Sequence, residues 1–304
     1  MQSVLDDSIY KRLKLAGTIA ANARDYGIKL IKEGASILES ANKVELKILN
    51  DGGGLAFPVN ISLNEVAAHF SPRHDDTKLV FKKGDVVKLD VGAHIDGYIA
   101  DTAITVEVGT NNYEEMINAS RDALQTAIDS IKADASLSNI GKTIEKTIKS
   151  YGFKSIDNLT GHSLARYTLH SGLSVPNVHE RLNLVKLNQG EVLAIEPFAT
   201  NGAGHVISGK SSNIYRYIKS VKSRIIRDSK TRSYSLKINN KFSTLPFAER
   251  WCTNLLPNTD LSLKKLLFAG CIKQYPQLID EKKGIVTQAE HTVIVREDDC
   301  EVTT

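Results

Sequence analysis

The chain has 304 residues, a length that suits one large domain or one domain with an insert. Its 39 basic and 35 acidic residues give a net charge of +4, which is too mild to indicate nucleic-acid binding by charge alone. No stretch resembles a basic and then apolar sorting signal, and none approaches the ~18 apolar residues of a membrane span.

Two helices followed by strands are predicted for the first part of the chain. Apolar residues such as Leu13 and Ala20 recur every three or four positions, which predicts a helix over residues 7–32 that ends before Gly34. A second helix is predicted over 36–49, because the breaker sequence NDGGG follows it. Short β-branched segments bounded by turn residues predict strands at 55–61, 79–81, 85–91 and 98–108.

The same order of elements begins again after residue 111. Met116 and Ile131 lie on one face of a predicted helix, and Ile140 and Ile148 lie on one face of the next, which ends near Gly152. Strands are then predicted at 154–156, 166–170, 191–198 and 285–296. Two halves with the same element order predict an α+β architecture around one mostly antiparallel sheet.

Residues 209–270 differ in character from both halves. They carry few strand signals, and one helix is predicted over 262–269. A cluster of basic side chains comprises Lys219, Lys222, Arg224, Arg227, Lys230 and Arg232. We interpret the segment as an insert on the main domain. The cluster could contact RNA, although a solvated helix face explains it better.

The segment KLDVGAHIDGYIAD places acidic residues in strands that otherwise face a core. The dipeptide Asp96-Gly97 is a strong signal for a two-residue hairpin turn, which requires positive φ at both positions. Symmetry about that turn pairs Gly92 with Asp101 and makes Asp90 a diagonal neighbour of Asp101 on one face, a little under ~7–8 Å away. Asp96 itself lies in the turn, which excludes it from a buried site.

Two inward-facing carboxylates at that distance repel each other and lose their hydration. They need cations, and a pair of divalent ions about 3.5–4 Å apart would fit the gap between Asp90 and Asp101. The alternative is that one aspartate is exposed or paired with a basic side chain and that the hairpin is only structural. These two residues alone leave both alternatives open.

Three further apolar segments carry residues that commonly bind metals. TGHSLARYTLH contains His162 and His170, EVLAIEPFAT contains Glu196, and VTQAEHTVIV contains Glu290 and His291. His291 follows Glu290 directly, so strand alternation turns it to the opposite face, where we expect a structural role. Two Asp, two Glu and one His form an oxygen-rich set that suits two hard or borderline divalent ions and differs from structural zinc sites.

Five segments in the same order resemble the type II methionine aminopeptidases of the archaeal kind. They are GLAFPVNISLNEVAAHFSP, LDVGAHIDGYIAD, GHSLARYTLH, AIEPFAT and QAEHT. The resemblance covers essentially the whole chain. It implies a pita-bread fold, with a single catalytic domain over 1–304 and a helical insert subdomain at about 210–270.

The resemblance also implies the ligands of two divalent ions per chain, which could be cobalt, manganese, iron or zinc. The matching positions are Asp90, Asp101, His162, Glu196 and Glu290. In the family pattern, Asp90 chelates one ion, Asp101 and Glu290 bridge both, and His162 and Glu196 hold the other.

A reaction follows from the same resemblance: hydrolysis of the N-terminal methionine from nascent proteins and peptides, with a preference for a small second residue, by a hydroxide that the two ions activate. Glu196 would also transfer the proton, His170 would stabilise the oxyanion, and His69 would hold the amide on the leaving side. Phe57, Leu169 and Tyr275 match positions that line the methionine pocket.

Two rival functions remain on the sequence alone. Related enzymes that cleave Xaa-Pro bonds generally carry a large preceding domain, and non-catalytic relatives that bind RNA or ribosomes have lost metal ligands, which are all retained here. We expect a cytoplasmic protein, because three cysteines without a CxxC motif suit a reducing compartment. We expect a monomer, because no coiled coil or long apolar stripe demands a partner, and we expect no membrane or sequence-specific nucleic-acid partner. A contact with the ribosome is compatible with this function, but no residue demonstrates it, and the role of His205 stays open.

Overall fold

The computed structural model describes residues 6–218 and 226–304. Its helices are α1 (Asp7–Ile28), α2 (Ile37–Asn50), α3 (Glu114–Ser130), α4 (Leu137–Ser150), α5 (Ser229–Phe242) and α6 (Thr259–Phe268), together with a 3₁₀ turn at Glu249–Cys252. The strands of the first half are β1 (Gly54–Leu55), β2 (Asn60–Leu63), β3 (Val66–Ala68), β4 (Val86–Ile95) and β5 (Tyr98–Glu107). The later strands are β6 (Lys154–Ser155), β7 (Thr160–Ser163), β8 (Ser174–Pro176), β9 (Val192–Ile195), β10 (Phe198–Thr200), β11 (Val206–Tyr217), β12 (Phe247–Ala248), β13 (Ile272–Asp280), β14 (Val286–Gln288), β15 (His291–Val295) and β16 (Cys300–Val302).

Capping side chains and one apolar face explain the first helix pair. The Asp6 carboxylate accepts a hydrogen bond from the Ser8 amide at 2.8 Å, and the Ser36 hydroxyl accepts one from the Glu39 amide at 3.3 Å, so both helix starts are satisfied. Gly27 lets α1 approach β4 closely, because a Cβ there would lie 2.5 Å from the Leu89 side chain. The apolar faces of the two helices can therefore pack on the sheet as one layer, with their polar faces turned away from it.

The two helix pairs pack in the same way on the two halves of the molecule. α1 buries its apolar face against β4 and β5, and α2 packs beside it on β1 and β2. α3 and α4 bury their apolar faces against the strands of the second half. A smaller buried cluster joins the halves and includes Leu13 from α1, Ile99 from β5 and Ala194 from β9. The predicted α+β architecture of two similar halves is confirmed.

The predicted hairpin register is confirmed residue by residue. Ile95 faces Tyr98, Gly92 faces Asp101, and the whole of β4 pairs with β5 without a shift. Asp96 and Gly97 have φ angles of 51° and 87°, as a type I′ turn requires.

Several predicted strands differ from the observed ones. Residues 79–81 form only an isolated bridge between Val80 and Ser36, and 166–170 form a turn instead of a strand. The strand that pairs with β9 is β7, which ends before this turn. The predicted strand over 55–61 is interrupted between β1 and β2, and those over 191–198 and 285–296 are interrupted at Glu196 and Glu290. Local β propensity did not indicate where pairing stops.

The prediction of one sheet was also too simple. Every strand pairing in the described residues is antiparallel, but the hydrogen bonds divide the strands into four sheets, with the orders β1-β4-β2 (β5 on β4), β14-β10-β6, β12-β11-β13-β3 and β16-β15-β9-β7-β8. An isolated bridge between Ala103 of β5 and Glu290 joins the two halves. This junction is where the acidic residues meet.

The segment predicted as an insert has its own buried cluster, which includes Ile238 of α5, Phe247 and Leu263 of α6. β11 enters it and pairs with β13, so its flanks carry more strand than the sequence indicated. α6 covers much of the predicted 262–269 helix, whereas α5 was not predicted. The division into one domain, 1–304, with an insert at about 210–270 stays a prediction.

The basic cluster is only partly visible. Lys219, Lys222 and Arg224 lie outside the described residues, Arg227 and Lys230 are exposed, and Arg232 donates a hydrogen bond to the Ile226 carbonyl at 2.7 Å. No helix in the described ranges is long and apolar enough to cross a membrane.

Candidate metal centre

Five acidic and imidazole side chains converge from both halves of the molecule. Asp90 and Asp101 come from the paired strands β4 and β5, and His162 comes from β7. Glu196 lies between β9 and β10, and Glu290 lies between β14 and β15. The structure therefore brings together every residue that the family pattern predicts as a ligand.

Short distances define the centre of this group. The Nε2 atom of His162 lies 3.7 Å from Oδ2 of Asp101 and 3.5 Å from Oε1 of Glu196. One ligand atom from each of Asp101, His162 and Glu290 lies within 4.8 Å of the others. Such a spread matches donors arranged around a cation, since ligand-to-metal bonds are about 2.0–2.2 Å long.

The buried carboxylates lie so close together that their negative charges repel one another. Burial, followed by the charges of Asp90 and Glu196, raises the pKa of Asp101 well above its ordinary value. Burial likewise raises the pKa of Asp90 to about 7 and the pKa values of Glu196 and Glu290 above the usual range. Burial lowers the pKa of His162 to about 3, so its imidazole is neutral and able to bind a metal.

The hydrogen bonds of these five side chains indicate whether a metal ion would fit among them. Oδ1 of Asp90 and Oδ1 of Asp101 are buried and have no hydrogen-bond partner among the described residues. The donor nearest to the glutamates is Gln288, whose Nε2 lies 3.4 Å from Oε2 of both Glu196 and Glu290. Buried acceptors without donors are costly, and divalent cations would satisfy them, so the residues fit a metal centre.

Backbone contacts between the halves fix the centre. The Asp101 amide donates to Oγ1 of Thr292 at 2.8 Å, and Oγ1 of Thr102 donates to the Glu290 carbonyl at 2.8 Å. The Glu290 amide donates to the Ala103 carbonyl at 3.0 Å. The two bridging positions of the family pattern are thus tied to each other through their main chains.

A pocket with a cavity volume of about 60 Å³ opens onto the five ligands. Its other walls are Phe57, Asn60, Ala68, His69, Leu169, His170, Ile214, Pro246 and Tyr275. A second cavity of about 400 Å³ shares Ala68, His69 and His170 with it, as well as His162 and Glu196. The predicted pocket residues therefore all line one cavity, beside the metal ligands.

His69 stands out by its backbone and its environment. Its φ of 63° lies in the left-handed region, which costs a residue other than glycine roughly 1–3 kcal/mol. Nδ1 is buried without a hydrogen-bond partner in the described ranges, and its ring lies 5.2 Å from the Tyr275 ring. Burial and the neighbouring His170 lower the pKa of His69 to about 4. A neutral imidazole, whose Nδ1 atom has no partner in the described ranges, thus lines the pocket.

Two other histidines lie away from the centre. His291 contacts Oγ1 of Thr304 at 2.9 Å and is not among the residues that line the pocket, as strand alternation predicts. His205 pairs with Asp157 at 2.6 Å on the surface, so the structure does not bring it to the ligands.

Sequence reasoning missed Gln288, Thr292, Asn60, Ile214 and Pro246. Gln288 precedes Glu290 by two residues, and strand alternation could have placed both on one face. Ile214 and Pro246 carried no local signal, because the insert brings them to the pocket through long-range pairing.

Known proteins match the chain along almost its entire length. The family Metallopeptidase M24 matches residues 11–297. The methionine aminopeptidase of Methanocaldococcus jannaschii is 47% identical over 297 residues, which cover 97% of this chain and 98% of that protein. The methionine aminopeptidase of Pyrococcus horikoshii is 45% identical over 291 residues, which cover 95% of this chain and 97% of that protein.

Solved structures share the fold at lower identity. A methionine aminopeptidase from Thermotoga maritima superposes with a TM-score of 0.73 at 23% identity, covering 100% of this chain and 99% of that one. A thermophilic Arx1 superposes with a TM-score of 0.84 at 15% identity, covering 99% and 91%. The chain therefore belongs to metallopeptidase family M24 and, within it, to the methionine aminopeptidases, which are metal-dependent hydrolases with the pita-bread fold.

Proposed function

We propose that this chain removes methionine from the free N terminus of polypeptides, nascent proteins included, and that it does so with two divalent ions. The observation that carries the proposal is the convergence of five ligand side chains, two of them with partnerless buried oxygens, at one end of a largely apolar pocket. The identity of the relatives as methionine aminopeptidases supports the same substrate.

The family pattern assigns the ligands to the two ions. Asp90 would chelate one ion, Asp101 and Glu290 would bridge both, and His162 and Glu196 would hold the other. Bound divalent ions lower the pKa of a water molecule from 15.7 to about 7 and polarise a carbonyl group. Manganese, iron, cobalt and zinc all suit these oxygen-rich ligands, so availability decides which metal the protein uses.

Three side chains of the chain itself would act on the substrate. Glu196, which lines the pocket, accepts a proton from the attacking water at its carboxylate and passes it to the leaving amine. His170, exposed at the pocket, donates a hydrogen bond to the carbonyl oxygen as negative charge develops, a contact worth about 3–4 kcal/mol. His69 holds the amide on the leaving side from its place in the pocket wall.

The pocket would select the first residue. Phe57, Leu169 and Tyr275 offer apolar and aromatic walls to an unbranched thioether side chain. His69 and His170 line both the pocket and the neighbouring cavity, so the second residue would pass between two imidazoles. That passage favours a small second residue.

We also propose a cytoplasmic setting, since all three cysteines are free and Cys252 and Cys271 are buried. A monomeric enzyme is proposed because the sequence has no coiled coil or long apolar stripe that demands a partner. Association with ribosomes is compatible with a nascent substrate. The exposed side chains of Arg227 and Lys230 are the described part of the basic cluster that such a contact could use.

Activity in chelated enzyme with each metal added back tests this function. We expect Met-Ala-Ser to be cleaved after at least one of manganese, iron, cobalt and zinc is restored, and Ala-Pro peptides to stay intact. Cleavage of Ala-Pro would instead support a prolidase. Inactivity with every metal, together with tight RNA binding, would support a non-catalytic relative.

A further inference from the structure

The segment that follows His69 is held by side chains of the distant insert. Ser71 is fully buried, and each of its polar groups has a partner: its amide donates to the Ser212 carbonyl at 3.1 Å, and its carbonyl accepts from Nδ2 of Asn213 at 2.9 Å. Its hydroxyl donates to the Val59 carbonyl at 2.7 Å. The main chain at Ser71, two residues after the strained His69, is therefore held by hydrogen bonds to several segments.

Arg250 is the charged member of this arrangement. Its Nη1 donates to Oγ of Ser71 at 2.7 Å and to the Pro72 carbonyl at 3.1 Å. Its side chain is 4% exposed, and its Nη2 pairs with Oε1 of Glu45 on α2. The 3₁₀ turn of the insert thus reaches into the first half and holds the segment next to His69.

Glu45 in turn keeps the buried guanidinium in place. Its carboxylate accepts from the Trp251 indole at 2.8 Å and from the Val59 amide at 3.1 Å, in addition to Arg250. A buried charge is costly unless it is paired and hydrogen-bonded. Both Nη atoms of Arg250 have acceptors, and only its Nε is buried without a partner in the described residues. The guanidinium therefore has one well-defined position, and so does the serine that it binds.

We propose that Arg250 is a positioning residue for His69: through Ser71 and Pro72 it holds the left-handed backbone that points the imidazole into the pocket. The proposal rests on the proposed function of His69. A strained conformation persists only where its surroundings determine it strongly. On the other side of Ser71, the Phe70 carbonyl accepts from the Ile61 amide at 2.8 Å, so Arg250 completes a two-point anchor.

A double-mutant cycle separates positioning from general stability. We expect Arg250→Met to lower kcat for Met-Ala-Ser about 10- to 100-fold with KM within about twofold, because a shift of about 1 Å in a catalytic group costs up to about 100-fold. In a His69→Asn background, where asparagine tolerates positive φ, the same substitution should change kcat less than about twofold. Equal losses in both backgrounds would overturn the proposal.

Two control variants guard against misfolding and against nonspecific effects in the segment. Glu45→Gln combined with Arg250→Met removes both buried charges and should fold while keeping the kinetic defect. Arg73→Met breaks partly exposed ion pairs with Asp75 and Asp260, both at 3.0 Å, and a longer contact of 3.7 Å with buried Glu249, and should leave kcat within about twofold. A tenfold loss in Arg73→Met would count against a specific role for Arg250.

Hydrogen exchange of the metal-free protein gives a readout independent of activity. Amides in residues 69–74 should exchange faster in Arg250→Met than in the wild type, with the helices of both halves unchanged. Unchanged exchange in 69–74 would contradict the anchor. If the wild type cleaves no methionine peptide, the proposed function fails, while the exchange result still decides whether Arg250 holds this segment.

Discussion

The two halves of the molecule supply their ligands in different ways. In the first half, one continuous hairpin carries Asp90 and Asp101, and ten residue pairs align without a shift. In the second half, His162 lies in a strand of four residues, and Glu196 and Glu290 lie where strands are interrupted. The first half fixes its carboxylates by local pairing, and the second fixes its ligands by contacts between distant segments.

The largest effect is expected in the second half, at Glu196. Glu196→Gln removes the proposed proton carrier and weakens one ligand, so kcat/KM for Met-Ala-Ser should fall about 10²- to 10⁴-fold. Glu191→Gln is a matched control, because Glu191 directly precedes β9 and Glu196 directly follows it. The Glu191 carboxylate contacts Asn188, and the variant should retain activity within about twofold. A near wild-type rate for the Glu196 variant would remove that residue from the chemistry.

In the first half, the main expected effect is on the free energy of unfolding, and it arises at Asp90. Burial raises its pKa to about 7, so the folded protein keeps this proton after the unfolded chain has lost it near pH 4. The free energy of unfolding of the metal-free protein should then lose at most about 1.4 kcal/mol per pH unit from this group between pH 4 and 7. Asp90→Asn should remove that loss and also reduce the raised pKa values of Glu196 and Glu290, to which the charge of Asp90 contributes, so the variant gains stability relative to the wild type as pH rises.

Comparing Asp90→Asn with the wild type also cancels the opposing contributions that other groups make to the pH dependence of the free energy of unfolding. His69 and His162 have lowered pKa values in the folded state, so both favour folding as pH rises towards about 6.5. Chemical denaturation at pH 4, 5, 6 and 7 measures the difference. A difference that does not change with pH would show that Asp90 is not held in a costly buried state.

The same contrast explains what could be predicted from the sequence. The turn at Asp96-Gly97 and strand alternation determine the register of the hairpin, so the neighbourhood of Asp90 and Asp101 followed from local rules. The helix pairs also followed, since their apolar periodicity is local. These features need no knowledge of the rest of the chain.

In the second half, residue types alone indicated His162, Glu196 and Glu290 as candidate ligands, and the family resemblance assigned them to one site. Pro197, directly after Glu196, is a local signal that a strand ends, because proline has no amide to donate. Nothing local to Glu290 gives such a signal, and the strand predicted over 166–170 is a turn. The approach of Pro246 and Arg250 depends on the insert folding back between β11 and β13. Long-range pairing of this kind has no short sequence signature.

An intermediate effect is expected at Gly92, opposite Asp101 in the hairpin. A Cβ at this position would lie 2.1 Å from the Phe57 ring, so Gly92→Ala must displace a wall of the pocket. We expect KM for Met-Ala-Ser to rise about tenfold with a smaller change in kcat, since lost substrate binding acts mainly on KM. Gly53→Ala, crowded by Ile19 and Ile48 outside the pocket, should lower stability without changing KM.

The smallest effect is expected at His205 in the second half. Its Nδ1 lies 2.6 Å from Asp157, and both side chains are about half exposed, at 47% and 56%. Exposed ion pairs contribute about 0–1 kcal/mol, so His205→Ala should change kcat/KM less than about twofold and stability by at most 1 kcal/mol. Asn158 links this pair to the cavity beside the ligands, because its Nδ2 lies 3.2 Å from Nε2 of His205. A tenfold loss of activity would therefore mean that the second half supplies a further group to the substrate through Asn158.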